Sequence, residues 1–194
     1  MRRLACLFLM LASANVAAQD DVIRQLIESI DTPRDTPIPY TEVRMNPLLE
    51  APVIFYGEVE FASDGTLEKR VSSPVVELVR IGAGVVVLER GNKKRSLSMR
   101  QNGNLWRFYS GLRAILAGDA EGVTEVYAVE LQVAGESWQM ELRPRSDEFA
   151  TFISSITVRG QHGRIDFVRT VQGQDNWQET SFRHPDRTTT EADQ

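Results

Sequence analysis

From Val53 onward, apolar residues recur mostly at every second position, which is the period of a strand. Val53, Phe55, Val59 and Phe61 share one face, with Gly57 between them. Ser63-Asp64-Gly65 reads as a turn, because all three residue types favour one. Candidate strands follow at 67–72, 75–81, 84–90 and 94–100. Their connectors, Ser73-Pro74, Gly82-Ala83 and Gly91-Asn92-Lys93, have the length of hairpin turns, so these strands form an antiparallel meander. Further strands are predicted at 124–134, 137–143, 152–159, 164–171 and 176–183. In the first of these, Tyr127, Val129, Leu131 and Val133 alternate with Glu130 and Gln132.

Two segments change to the helical period. In residues 20–30, Val22, Ile23, Leu26, Ile27 and Ile30 form one stripe. Asp20 or Asp21 can cap this helix, and Asp31-Thr32-Pro33 ends it. In residues 104–117, Leu105, Phe108, Leu112, Ile115 and Leu116 make the stripe, with Asn104 as the expected cap and Gly118 as the stop. Between the first helix and the meander stand Pro33, Pro37, Pro39, Pro47 and Pro52, which leave room only for a short edge strand, Tyr40–Met45. The predicted class is mainly β (α+β): a strongly curved antiparallel sheet, or an unclosed β-barrel, of about ten to eleven strands, with helices as a lid.

Val75–Glu89, VVELVRIGAGVVVLE, departs from clean alternation, because apolar residues fall on both faces of its strands. Three arrangements satisfy such a sheet: a sandwich between layers, a dimer, or a concave face lining a cavity. Helix 104–117 is apolar over a wide arc, since Trp106, Tyr109 and Ala114 widen its stripe. That suits a lid packed into the mouth of a curled sheet. An apolar pocket beneath it would stay dry or take apolar guests, and an ordinary filled core is the competing arrangement.

Composition changes this picture at the ends of the chain. MRRLACLFLMLASANVAAQ has two arginines, an apolar run and then small residues, the order of a secretory signal cut after Ala18. Cys6 lies inside the apolar run, so an acylated lipoprotein terminus is not expected, and the mature chain of residues 19–194 has no cysteine for a disulfide. The expected location is the periplasm, with a soluble domain over 19–183 and a disordered tail over 184–194. The formal charge of −5 becomes −7 without Arg2 and Arg3, which argues against nucleic acid as a partner.

Catalytic chemistry finds little support. His162 and His184 have no metal-ligand neighbours at useful spacing and read as solvated. There is no Gly-x-Ser-x-Gly nucleophile motif. Gly82 and Gly84 belong to a hairpin, because Val87 stands where a dinucleotide loop needs its third glycine. No carboxylate pair has surroundings that would separate its pKa values. The reading is a non-enzyme without metal or cofactor. Lys93-Lys94-Arg95, with Lys69, Arg70 and Arg100, forms either a basic patch for a lipid head group or acidic partner, or a solvated hairpin.

The segments Tyr40–Arg44 (YTEVR), Leu48–Val53 (LLEAPV), Gly57–Phe61 (GEVEF), the Asp64-Gly65-Thr66-Leu67 turn running to Pro74, RIGAGVVVL, and Ile156–Phe167 (ITVRGQHGRIDF) together resemble the periplasmic outer-membrane lipoprotein carrier family, the LolA-like proteins. The resemblance implies an unclosed barrel of about eleven strands with a helical lid. It implies a hydrophobic cavity that shields acyl chains of lipoproteins or related lipids, including an acylated polyene, in a monomer. It also implies an inner-membrane exporter and an outer-membrane acceptor as partners. Wall candidates are Phe55, Leu67, Leu78 and Val129, and lid candidates are Leu105, Phe108 and Leu112. The chain departs from the family at Ser63, where an arginine that ties down the lid is expected, and at Leu67 and Lys69, where an aromatic residue and a tryptophan are expected. A lid that opens more easily follows from the first departure. The competing readings are a periplasmic sensor or interaction protein that binds a protein partner by an edge strand or the concave face, and a structural β-protein with a filled core.

Overall fold

The computed structural model describes residues 19–184. The predicted signal segment 1–18 and residues 185–194 lie outside the described residues. Eleven strands form one sheet: β1 (Ile38–Met45), β2 (Val53–Phe61), β3 (Leu67–Ser73), β4 (Glu77–Gly82), β5 (Val85–Arg90), β6 (Lys93–Ser98), β7 (Tyr127–Ala134), β8 (Ser137–Pro144), β9 (Ser155–Gln161), β10 (Arg164–Gly173) and β11 (Asn176–Phe182). Their order is β6-β5-β4-β3-β2-β1-β11-β10-β9-β8-β7. Each neighbouring pair is antiparallel, as hairpin connectors require. β6 and β7 are both edges, so the sheet is not closed into a barrel. The predicted fold class is the observed one.

Helix α1 covers 19–28, α2 Gly103–Ala117, α3 Ala120–Val126 and α4 Asp147–Ala150. They bury their apolar sides against the β7–β10 half of the sheet. Ile27 of α1, Ile115 of α2, Val123 of α3 and Phe149 of α4 share one cluster with Tyr127, Met140, Leu142 and Val158, and all eight are close to fully buried. The Tyr127 ring lies over Gly111 of α2, where a Cβ would stand 2.3 Å from the ring, so only glycine admits this approach.

The other half of the sheet carries no such cover on its outer face. There a ladder of charges crosses five strands: Glu60, Arg70, Glu68, Arg80, Glu89 and Lys94 form consecutive ion pairs. Leu78 pairs across strands with Arg70 and Glu89, and Val87 pairs with Arg80. The apolar residues on both faces of β4 and β5 therefore have two environments. Val79 and Ile81 look inward to a cavity, while Leu78 and Val87 alternate with the ladder outside. No dimer is needed to explain the pattern.

Several expected boundaries move. Asp20 and Asp21 lie within α1, so neither caps it. Asn102 caps α2 in place of Asn104: its backbone is extended and its side chain accepts from the Leu105 N–H. Residues 124–126 belong to α3 and not to a strand, because the Asp119 side chain accepts from the Gly122 N–H and starts a helix there. Val75 and Val76 precede β4 and are exposed. Residues 99–101 form a 3-10 turn after β6. Residues 152–154 precede β9, following α4, which alternation alone did not reveal. His162 is exposed in its turn, but His184, expected in a disordered tail, approaches the Ile165 carbonyl at 2.6 Å with a side chain 10% exposed.

Candidate functional site

Helix α2 is placed by its two ends. Asn102 caps the first turn, and Gly118 ends the helix in the left-handed conformation at φ 68°, which a residue with a Cβ adopts at a cost. The inward side of the helix, Phe108, Leu112, Ile115 and Leu116, roofs a cavity of about 220 Å³. A single water needs roughly 10–15 Å³ on the same measure, so this space is ligand-sized and not a packing fault. Its walls come from β1–β4 and β9–β11, chiefly Ile38, Val59, Leu67, Val79, Ile81 and Val168. Residues 31–33, between α1 and β1, close one side.

The lid is tied to the wall by its own tyrosine. The Tyr109 hydroxyl lies 2.9 Å from the Gly65 carbonyl oxygen and 3.1 Å from that of Ile81, so its one proton is shared between two acceptors. Burial pushes the Tyr109 phenol up from its ordinary value, which keeps it a donor. Ser63, where the resemblance led to an arginine, instead bonds Asp35: its backbone N–H donates to Oδ1 at 3.0 Å, and its hydroxyl donates to Oδ2. The tie missing from the turn is thus supplied from the helix. Tyr109→Phe removes a hydrogen bond worth about 0.5–1.5 kcal/mol. The expected result is a roughly two- to tenfold rise in lid opening, read as faster amide hydrogen exchange in 105–117 with β8 unchanged. Equal exchange in the variant and the parent would show that the lid is held by packing alone.

The cavity is not wholly apolar. Glu42 of β1 is fully buried, at 0% exposure, and sits on its inward face. It accepts from Lys69 Nζ at 2.5 Å, from Arg44 at 2.5 Å and from the Thr180 hydroxyl at 3.1 Å. Burial alone would raise its pKa, but Lys69 and Arg44 outweigh burial and hold the carboxyl below the usual value. Burial draws the Lys69 ammonium down, with Glu42 opposing. Lys69 also stands 4.8 Å from the centre of the Tyr40 ring, and Arg44 stands 4.5 Å from that of Phe55.

Of the residues named from sequence, Leu67, Phe108 and Leu112 line the cavity together. Phe55 shares the inward face of β2 but lies under Arg44, outside the lining. Val129 packs against the helix-covered core, Leu105 is half-buried in the first turn of α2 outside the lining, and Leu78 is on the outer face. Sequence reasoning missed Tyr40 and Glu42, took Tyr109 only as an apolar member of the α2 stripe, and grouped Lys69 with Arg70, Arg100 and the Lys93–Arg95 hairpin, whereas Lys69 turns inward to the cavity and Arg70 joins the outer ladder. Glu42 could have been found as a carboxylate at an inward position between Tyr40 and the Arg44 that follows. Among the described residues, no cluster of His, Cys, Asp or Glu is arranged to hold a metal ion, and no helix is long and apolar enough to cross a membrane.

No curated protein matches the chain. The LolA superfamily protein NE2245 of Nitrosomonas europaea is similar at 9% identity over 86% of this chain and 92% of its own, with a TM-score of 0.41. LprF of Mycobacterium bovis is similar at 8% identity over 90% and 95%, with a TM-score of 0.37. The MucA/MucB complex of Pseudomonas aeruginosa is similar at 15% identity over 85% of this chain but 55% of the matched chain, with a TM-score of 0.43. The family model for outer membrane lipoprotein carrier protein LolA-like sequences matches residues 12–192. With nearly the whole length matched, the chain belongs to that LolA-like family.

Proposed function

We propose that this protein is a periplasmic carrier that shields acyl chains of lipoproteins or related lipids in the cavity under α2, on their way toward the outer membrane. The observation that carries this reading is a ligand-sized space with largely apolar walls, roofed by a helix that a single tyrosine ties to the wall. Each methylene withdrawn from water into such a wall contributes about 0.8 kcal/mol, which a chain of many methylenes multiplies. An exporter in the inner membrane and an acceptor at the outer membrane complete the route. Protein isolated from a periplasm and measured by native mass spectrometry is expected to carry a lipid adduct. After delipidation it is expected to bind an apolar fluorescent probe. Absence of both adduct and probe binding would overturn the carrier reading.

A second reading is favoured by one observation. β6 is an edge strand whose six residues, KKRSLS, are all exposed, so its outer backbone groups are available to an extended peptide. Capture of one specific protein without lipid would favour this interaction role.

A further inference from the structure

The ion cluster at Glu42 is costly where it stands, because charges in an apolar cavity lose their hydration. Nothing in the sheet requires it. Glu42 faces Thr180 and Phe55 across the strands, and a hydrophobic residue would fit a wall made of Ile38, Val59 and Leu67. The cluster is also short of acceptors. Two cations, Lys69 and Arg44, share the one carboxylate of Glu42. Arg44 Nε and the Tyr40 hydroxyl are both buried without a hydrogen-bond partner, and Tyr40 is only 4% exposed on the cavity lining. Buried donors left unpaired are rare in native proteins and mark a place where another group belongs. Lys69 is the cation of the cluster that lines the cavity, and Arg44 lies outside the lining. Glu77 of β4 acts on Lys69 through its charge but forms no salt bridge with it.

We propose that the cavity takes an amphiphile with one anionic head group, a carboxylate or a phosphate, whose oxygens pair with Lys69 while its hydrocarbon chain lies along the wall of Leu67, Val79, Phe108 and Leu112. This rests on the carrier reading and adds to it a direction. The head is read at the Glu42 cluster, and the tail is read only by its apolarity. The ligand brings the acceptors that the cluster lacks, and a neutral head of the same chain length does not.

The test uses the delipidated mature chain and three ligands of equal chain length: hexadecanoic acid, a sixteen-carbon lysophosphatidic acid and hexadecanol, each displacing a neutral fluorescent probe at low salt. The two anions are expected to bind roughly tenfold or more tighter than the alcohol, the scale of one charge-assisted hydrogen bond. Lys69→Gln is expected to erase that preference, weakening both anions roughly tenfold or more relative to hexadecanol. Arg164 Nε on the same lining also has no hydrogen-bond partner, but it stands 3.4 Å from a carboxylate of its own, Asp166, so Arg164→Gln is expected to leave the preference intact. A tighter acid assigns the head as carboxylate, and a tighter phosphate assigns it as phosphate. Equal binding of all three by the parent overturns the proposal and leaves the carrier reading standing. So does an equal loss for all three in Lys69→Gln, or a preference erased by Arg164→Gln. A parent that binds no probe overturns both.

Discussion

Glu42→Gln is expected to destabilise the protein by about 3–5 kcal/mol, the cost of removing one partner from a buried ion pair. The substitution keeps size and shape, so no cavity opens. It leaves Lys69 and Arg44 facing an amide whose oxygen accepts from one of them and whose NH2 group opposes the other. For a domain of this size the loss corresponds to a fall in Tm of roughly 6–20 °C. A second substitution, Lys69→Gln, made on top of the first is expected to recover part of the loss, because it removes a charge that has lost its partner. Thermal unfolding of the parent, both single variants and the double variant gives the coupling directly. Additive losses would show that the pair does not act as a unit.

The same cluster gives stability a dependence on pH. The folded Glu42 carboxyl lies below its unfolded value, so between the two the unfolded chain binds more protons than the folded one. Its contribution is present above the ordinary carboxylate range and is lost as pH falls through the folded value. The Lys69 ammonium is also depressed, so the unfolded chain again binds more protons between the folded value and 10.5. Both groups make stability rise with pH, one in the acid range and the other on approaching the ordinary lysine value. Chemical unfolding across pH 3–5 should therefore show a steep acid loss in the parent that Glu42→Gln flattens.

What could be read from the chain and what could not follow one physical line. Period-two alternation located most strands to within a few residues, because a half-buried strand must place alternate residues on opposite faces. It failed at 124–126, where Thr124, Glu125 and Val126 look like the lead of a strand. The cap at Asp119 and the burial of Val123 make that stretch helical, and a cap outweighs a weak β propensity. Alternation also gives parity but not direction. Leu78 and Val79 are equivalent until the partners of β4 are known, and only the pairing with β3 and β5 turns Val79 inward. The polar part of the site was hidden for a different reason. Glu42 meets Lys69 and Thr180, 27 and 138 residues away. Charges so far apart read as separate surface residues. The latch was hidden because Tyr109 looks like one more apolar member of a helical stripe, and its hydroxyl acquires a role only when Gly65 and Ile81 come beneath it.

Leu67→Glu should reduce binding of a neutral apolar fluorescent probe about tenfold or more, while circular dichroism remains strand-like. Leu67 pairs with Phe61 and Ile81 on the cavity wall, and all three belong to the lining. A carboxylate there must be desolvated or protonated before a chain can lie against it, at a cost of at least about 2 kcal/mol. Lys69, two residues on and on the same face, can relieve this cost only by giving up Glu42. Leu78→Glu provides the opposing case from the same meander. Its side chain leaves the outer face of β4 beside Arg70 and Glu89, where an added charge meets water and the ladder. Probe binding by Leu78→Glu is expected to stay within about twofold of the parent, as for other surface substitutions. The two leucines were indistinguishable in the sequence, so their separation tests the face assignment and the cavity together. An equal loss in both variants would mean that the probe binds elsewhere, and no loss in Leu67→Glu would mean that this wall does not meet the ligand.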